Sequence, residues 1–217
     1  MKSKSILFPC GDLTLEGTYY YPGTPGKFPG IVICHPDPLY GGSMNNNIVR
    51  EVASTLTKHS IVAFTFNFRG VGKSQGSHGN GRDEKNDVAA AIDWLSSQLE
   101  VENSQIGLAG YSFGASVALP EACHDPRIKA LALISPALLD QPKMDQLRNY
   151  TMPGLTIFGS ADEYLTVELQ ALMKQDAPGA MQFEIITAAD HFWFSFEPVL
   201  AEKVASFFDA NLRRLDN

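Results

Sequence analysis

The stretch Gly110-Tyr111-Ser112-Phe113-Gly114 carries a serine with a glycine two residues to either side, the pattern G-x-S-x-G. A short apolar run, Gln105 to Ala109, precedes it and reads as a buried strand. The small, mostly apolar run from Ala115 to Cys123 follows it and reads as a helix. A serine at the tip of a tight strand-to-helix turn is presented outward as a nucleophile. The flanking glycines fit because such a turn is strained and leaves no room for side chains beside it. A serine hydroxyl is a weak nucleophile at neutral pH, so the rest of the chain must supply a base, an acid that orients it, and donors for a developing oxyanion.

Five histidines are available. His59 ends a helical run and His78 lies in a polar loop. His124 ends the helix after the serine, about 18 Å along it by helical rise. His35 follows a strand but precedes the serine in the chain. His191 follows a strand too, in Thr187-Ala188-Ala189-Asp190-His191-Phe192-Trp193-Phe194, and alone satisfies the order serine, acid, histidine. For the acid, Asp162 in Gly159-Ser160-Ala161-Asp162-Glu163 follows its own strand, with Glu163 and Asp140 as alternatives. Asp190 adjoins the base and is expected to cap a turn. The residue after the nucleophile gives the first oxyanion donor, the N–H of Phe113. The second should come from His35-Pro36-Asp37-Pro38-Leu39-Tyr40-Gly41-Gly42, where the prolines have no N–H to give. Asp37 fits best, and the phenol of Tyr40 is the alternative. Tyr40, Phe113, Phe192 and Trp193 are candidates for an apolar substrate pocket or for plain core.

These residues need a scaffold, and the chain alternates accordingly. Two β-rich runs, Ser5–Pro9 and Leu13–Tyr21, open it as a hairpin. Strands are then expected at Gly30–Cys34, Ile61–Phe66, Gln105–Ala109, Ala130–Ile134, Gly154–Phe158 and Gln182–Ile186. Helices are expected from Asn46 to His59, Asp83 to Leu99, Ala115 to Cys123, Leu165 to Gln175 and Glu197 to Leu212. The fold class is α/β: a mostly parallel sheet of about eight strands with an antiparallel start and helices on both faces. In such sheets ligands bind at the carboxyl ends of the strands, and each motif above follows a strand. The 217 residues contain no linker-like segment and read as one domain over 1–217.

Two motifs are decoys. Gly70-Val71-Gly72-Lys73-Ser74 looks like the end of a phosphate-binding loop, but Asn67 stands where that motif requires glycine. Cys34 and His35 are adjacent on a strand and point to opposite faces, so they form no Cys–His pair. The net charge of −7 argues against nucleic acid or an anionic membrane as partner. The N-terminal apolar run stops at Pro9, too short for a signal peptide core. Cys10, Cys34 and Cys123 make no metal or redox spacing and suit a cytoplasmic protein with reduced thiols. No metal or organic cofactor is implied.

Taken together, His35–Gly42, Asn67–Ser74, Gly110–Gly114, Gly159–Glu163 and Ala189–Phe192 resemble the α/β-hydrolases, almost end to end. The likeness is to the small cap-less bacterial hydrolases related to dienelactone hydrolase and the serine-peptidase-like esterases. It implies a Ser112, Asp162, His191 triad, with Phe113 and Asp37 at the oxyanion hole. Relatives often carry histidine where Asp37 stands, so the acidic side chain must turn away from the developing charge. Dienelactone hydrolase uses a cysteine nucleophile, and serine here argues against that activity. Fewer than twenty residues separate the strands at Ala130–Ile134 and Gly154–Phe158, where lidded relatives insert their lid, so none is expected. The implied activity is hydrolysis of a small carboxylic ester, with a small-molecule ester as partner and a monomer or homodimer equally compatible. A peptidase or amidase is the rival within catalysis, and a non-catalytic binding protein on the same fold is the rival outside it.

Overall fold

The computed structural model describes residues 2–137, 140–167, 169, 171 and 181–213. Its eight strands are β1 (Lys2–Cys10), β2 (Leu13–Tyr21), β3 (Phe28–Cys34), β4 (Val62–Phe66), β5 (Val101–Tyr111), β6 (Ile128–Ile134), β7 (Gly154–Gly159) and β8 (Met181–Ile186). They form one sheet in the order β1-β2-β4-β3-β5-β6-β7-β8. β1 and β2 pair antiparallel, β2 meets β4 antiparallel, and every later pairing is parallel. The parallel strands all end on one edge, and that edge receives the loops carrying Asp37, Ser112, Asp162 and His191.

Strand alternation builds two cores. Val32 and Cys34 of β3, with Ile106 and Leu108 of β5, face one side, together with Val88, Ile92, Ala118 and Leu119. Ile31 and Ile33, with Ala109 and Tyr111, face the other, against Val49, Val52, Leu200 and Val204. Both faces are apolar because both are covered, which is why these strands read as continuous apolar runs. The helices of the first face are α2 (Glu84–Ser96), α3 (Phe113–His124) and α4 (Gln141–Arg148). Those of the second are α1 (Asn47–Lys58) and α5 (Glu197–Leu212). Asn46 caps α1, its side chain accepting from the N–H groups of Ile48 and Val49.

The differences from the sequence reading are local. β5 begins at Val101 and not at Gln105, because its first residues pair with Phe28 across a register shift beside β3. α4 is additional: its sequence is polar with a short apolar stripe, and it starts on Asp140, which accepts from the Lys143 N–H at 3.1 Å. The helix expected at Leu165–Gln175 falls largely outside the described residues. Between β6 and β7 the described residues contain α4 and no lid.

The loop Asn67–Ser74 is structural. Asp87, wholly buried on α2, accepts from the Arg69 backbone N–H at 2.9 Å, from Nη2 at 2.7 Å and from Nε at 3.0 Å. Glu16 takes the N–H of Lys73 at 2.6 Å and the Asn67 amide at 2.8 Å. The glycines that suggested a phosphate cradle serve here as turns: Gly72 has φ +57°, and a Cβ on it would lie 2.2 Å from Glu16 Oε1. Removing one partner of a buried ion pair leaves the other uncompensated. Asp87→Ala should therefore lose about 3–5 kcal/mol in urea unfolding, whereas a surface change such as Asp93→Ala should lose under about 1 kcal/mol.

Candidate active site

Ser112 lies between the end of β5 and the first residue of α3 with φ +55° and ψ −117°. That conformation costs an isolated serine about 1–3 kcal/mol, so its surroundings must enforce it. A Cβ on Gly110 would sit 2.4 Å from the Gly114 carbonyl oxygen, and one on Gly114 would sit 2.4 Å from that of Cys34 and 2.6 Å from that of His35. The two glycines let the turn close and let α3 touch the end of β3. The Ser112 N–H donates to the Ile134 carbonyl at 2.9 Å, extending the β5–β6 ladder through the turn.

His191 Nε2 lies 3.0 Å from Ser112 Oγ, and His191 Nδ1 lies 3.1 and 3.2 Å from the two carboxylate oxygens of Asp162. All three residues are buried. Burial of Asp162 works against its charge. Hydrogen bonds from His191, Ser135 and the Tyr164 N–H outweigh that penalty and hold the carboxyl below the usual aspartate range. The carboxylate thus stays ionised and fixes the imidazole tautomer, with a proton on Nδ1 and a lone pair on Nε2 toward the serine.

The acid and base loops are laced together. The Ala161 N–H donates to the Ala189 carbonyl at 2.9 Å, and the Ala188 N–H donates to Ser160 Oγ at 2.9 Å. Gly159 allows this approach, since a Cβ there would lie 2.1 Å from the Ala189 oxygen. Asp190 accepts from the N–H groups of Phe192 at 3.0 Å and Trp193 at 2.9 Å, shaping the turn after the histidine. Tyr111 donates its phenol to the His191 carbonyl at 2.8 Å, and burial, with the charges of Asp162 and Asp190, raises its pKa and keeps that proton in place.

His35 is wholly buried, and its ring nitrogens are engaged away from the serine. Its Nδ1 donates to the Pro36 carbonyl at 2.6 Å, and its Nε2 accepts from the Phe68 N–H at 3.1 Å. The ring therefore links the two loops following β3 and β4 as a neutral imidazole. Asp37 turns its carboxylate onto its own loop, accepting from the Leu39 N–H at 2.8 Å. Among the described residues neither the Asp37 N–H nor the Phe113 N–H has a hydrogen-bond partner. The other acidic candidates lie elsewhere: Glu163 is exposed, and Asp140 caps α4.

One aromatic assignment, Trp193 as a pocket residue, needs correction, and the open choice at Phe113 falls to core. Trp193 is fully buried in the core between the sheet and α5, with its indole N–H donating to Ser135 Oγ at 3.0 Å, so it lines no open pocket. The Phe113 ring is likewise core, packed edge-on to Phe68. Tyr40 is 91% exposed, which leaves its phenol in solvent. Phe192 is exposed with its ring centroid 5.6 Å from that of His191, and the Tyr164 ring, unforeseen from the sequence, lies tilted to the same imidazole at 4.5 Å. Ser135 was also missed, although it is the first residue after a strand, the same signal that marked the other loops. A groove of about 880 Å³ between the β1–β2 turn and α2 contains none of Ser112, Asp162 or His191. Cys10, Cys34 and Cys123 are free. Among the described residues no group of acidic, histidine and cysteine side chains could hold a metal ion, and no helix is long and apolar enough to cross a membrane.

An eight-stranded, mostly parallel sheet with this elbow is the fold of the lid-less α/β serine hydrolases. An α/β serine hydrolase homologue from Coxiella burnetii superposes with a TM-score of 0.83 at 31% identity, over 95% of this chain and 97% of that one. A Xanthomonas campestris serine hydrolase without a lid gives 0.82 at 26% identity, over 99% and 97%. An uncharacterized protein of Rickettsia prowazekii is 34% identical over 187 residues, 82% of this chain and 77% of its own. Residues 13–197 match the X-Pro dipeptidyl-peptidase (S15) family, and the chain belongs to that family.

Burial pushes the His35 pKa down to about 4, because a charged imidazole there would lose its solvation. The unfolded chain takes up that proton near pH 6.5. The stabilisation is thus complete above about pH 6.5 and is lost as pH falls through about 4, a span of roughly 3 kcal/mol. His35→Gln should be less stable than wild type at pH 7 and show a flatter fall in urea-unfolding free energy between pH 6.5 and 4. An unchanged slope would contradict the assignment.

Proposed function

We propose that this protein is a serine carboxylesterase, hydrolysing small esters through an acyl-enzyme. The observation that carries the reading is the single line of contacts from Ser112 Oγ through His191 to the Asp162 carboxylate, at 3.0 and 3.1 Å. Ser112 attacks the ester carbonyl as its proton passes to His191 Nε2. Asp162 stabilises the imidazolium, and the proton then goes to the departing alkoxide. Water, deprotonated by the same histidine, clears the acyl group. The unpartnered N–H groups of Phe113 and Asp37 are the proposed oxyanion donors, and the Asp37 carboxylate is engaged by Leu39 N–H. Tyr40 remains the alternative donor, by its phenol.

The substrate's apolar part is proposed to lie against the exposed rings of Phe192 and Tyr164 beside the base, with Tyr40 and Leu39 on the facing loop. That the described residues contain no lid suits short or flexible acyl groups. The reading takes residues 1–217 as one domain, as monomer or homodimer, in the cytoplasm, a compartment that three free cysteines support. Membership of the S15 family favours a second reading, cleavage of amide bonds in peptides with the same residues in the same roles. A panel pairing p-nitrophenyl esters with aminoacyl and X-Pro nitroanilides separates the two, a clear preference for the anilides overturning the ester assignment.

Ser112→Ala should lower kcat on a short p-nitrophenyl ester by at least about 10⁴-fold in a folded protein. Equal rates, together with no fluorophosphonate labelling of wild-type Ser112, would leave only a binding role on this fold. Phe192→Ala should reduce kcat/KM for aryl esters by about 3- to 10-fold, mainly through KM, with little change for acetate esters of small alcohols.

A further inference from the structure

The loop between β8 and α5 carries the base without regular structure of its own. Three of its residues, Ala188, Trp193 and Ser195, stand at φ +66°, +60° and +69°, where L-residues rarely settle. Such a loop keeps its shape through the bonds that hold it. Ala188 and Ala189 join it to Ser160 and Ala161 of the acid loop, and Asp190 joins it to its own Phe192 and Trp193. Those bonds unite acid and base, and none of them reaches the strand that carries the nucleophile. The main chain of His191 makes one hydrogen bond among the described residues, accepting at its carbonyl from the Tyr111 phenol at 2.8 Å. Tyr111 is the last residue of β5, paired with Ile134 and followed directly by Ser112. Strand alternation turns its ring into the second core, and burial keeps the phenol protonated and donating.

We propose that Tyr111 is a positioning residue for the base, its phenol tying the main chain of His191 to the elbow that holds Ser112. The proposal rests on reading Ser112, Asp162 and His191 as the triad. The direct bond between Ser112 Oγ and His191 Nε2, at 3.0 Å, does not serve this purpose throughout the reaction. It lasts while the serine has a proton to give. Once Oγ is bonded to the acyl carbon, that proton has left with the alcohol, and the histidine must stay in place to take one from water. Asp162 orients the imidazole but belongs to the same laced unit, so a shift of that unit carries acid and base away from the serine together. The phenol–carbonyl bond takes no part in the chemistry at Oγ, and it runs from the nucleophile's neighbour to the base's own backbone. It therefore holds their separation in the free enzyme and in the acyl-enzyme alike. If Tyr111 served only to satisfy a buried carbonyl, its loss would appear in stability and not in turnover.

The test compares wild type, Tyr111→Phe and Ile61→Val on one p-nitrophenyl ester, each shown folded by circular dichroism at the assay temperature. Tyr111→Phe keeps the ring and removes the donor. Its kcat should fall by roughly 10- to 100-fold, the scale of a small misplacement of reacting groups, with no rise in KM. Ile61→Val trims a buried side chain just before β4, at the end of the sheet opposite the site, so it costs stability without touching the tie. Its kcat should stay within twofold of wild type. A kcat for Tyr111→Phe within twofold of wild type, a change confined to KM, or an equal loss in Ile61→Val would overturn the proposal. Tyr111→Met removes the phenol with a side chain that adapts to irregular space, and decides the matter by the same criteria should Tyr111→Phe fail to fold. A wild type without Ser112-dependent turnover would instead bring down the esterase reading, and this proposal with it.

Discussion

The turn at Ser112 can exist only because two side chains are missing. With φ at +55° the serine backbone is held where L-residues rarely stay, and the strand and helix on either side hold it there. Gly110 lets the first turn of α3 fold back over the end of β5, and Gly114 lets that helix rest on the carbonyls of Cys34 and His35. The second contact reaches further than the turn. It fixes the distance between the serine and the start of the loop His35–Gly42 through the packing of a helix on a strand. A methyl group at position 114 would have to displace backbone, which cannot move without disturbing β3 in the centre of the sheet.

The other half of the site has its own close approach. Gly159 ends β7 and brings the Ala189 carbonyl against the acid loop, so two parallel strands deliver their following residues as one unit. Into that unit the chain buries a carboxylate. Desolvation alone would raise its pKa, and the donors gathered around it reverse that direction. The imidazole is then held from one side by a charge and from below by Tyr111, a member of the elbow itself, through the His191 carbonyl. Serine, acid and histidine are connected by backbone as well as by side chain.

Much of this was legible because the α/β alternation is written in apolar runs and each motif follows a run. Ser112, Asp162 and His191 could be named from order and position alone, and the structure brings them together. What escaped the sequence were features decided by tertiary neighbours. Trp193 follows the histidine at a position that suggests a pocket wall, yet a positive φ swings it inward beneath the sheet edge. Ser135 carries no motif, and its meaning comes only from an indole 58 residues away in sequence. Tyr164 stands two residues from the acid, and only the turn that its N–H closes onto Asp162 puts its ring beside the base. α4 was invisible because its apolar stripe amounts to Met144 and Leu147 in an otherwise polar run.

Asp37 shows how local chemistry tolerates a residue that charge alone would forbid. A carboxylate beside a developing oxyanion would oppose it, and Asp37 is in the loop from which the second donor is expected. Its side chain closes a turn instead, accepting from the Leu39 N–H at the start of a short 3₁₀ segment, Pro38–Tyr40. That bond ties the carboxylate to the residue's own C-terminal side and leaves the backbone N–H of Asp37 unengaged. Prolines at 36 and 38 restrict the backbone on both sides, and Gly41, at φ +80°, lets the segment end by returning the Gly41 N–H to the Pro38 carbonyl. His35, neutral and fully committed to the Pro36 carbonyl and the Phe68 N–H, anchors the loop at its base. The aspartate thus holds the loop's shape with its side chain while its main chain remains available, and the same residue type that threatens the oxyanion electrostatically helps to preserve the backbone geometry it would need.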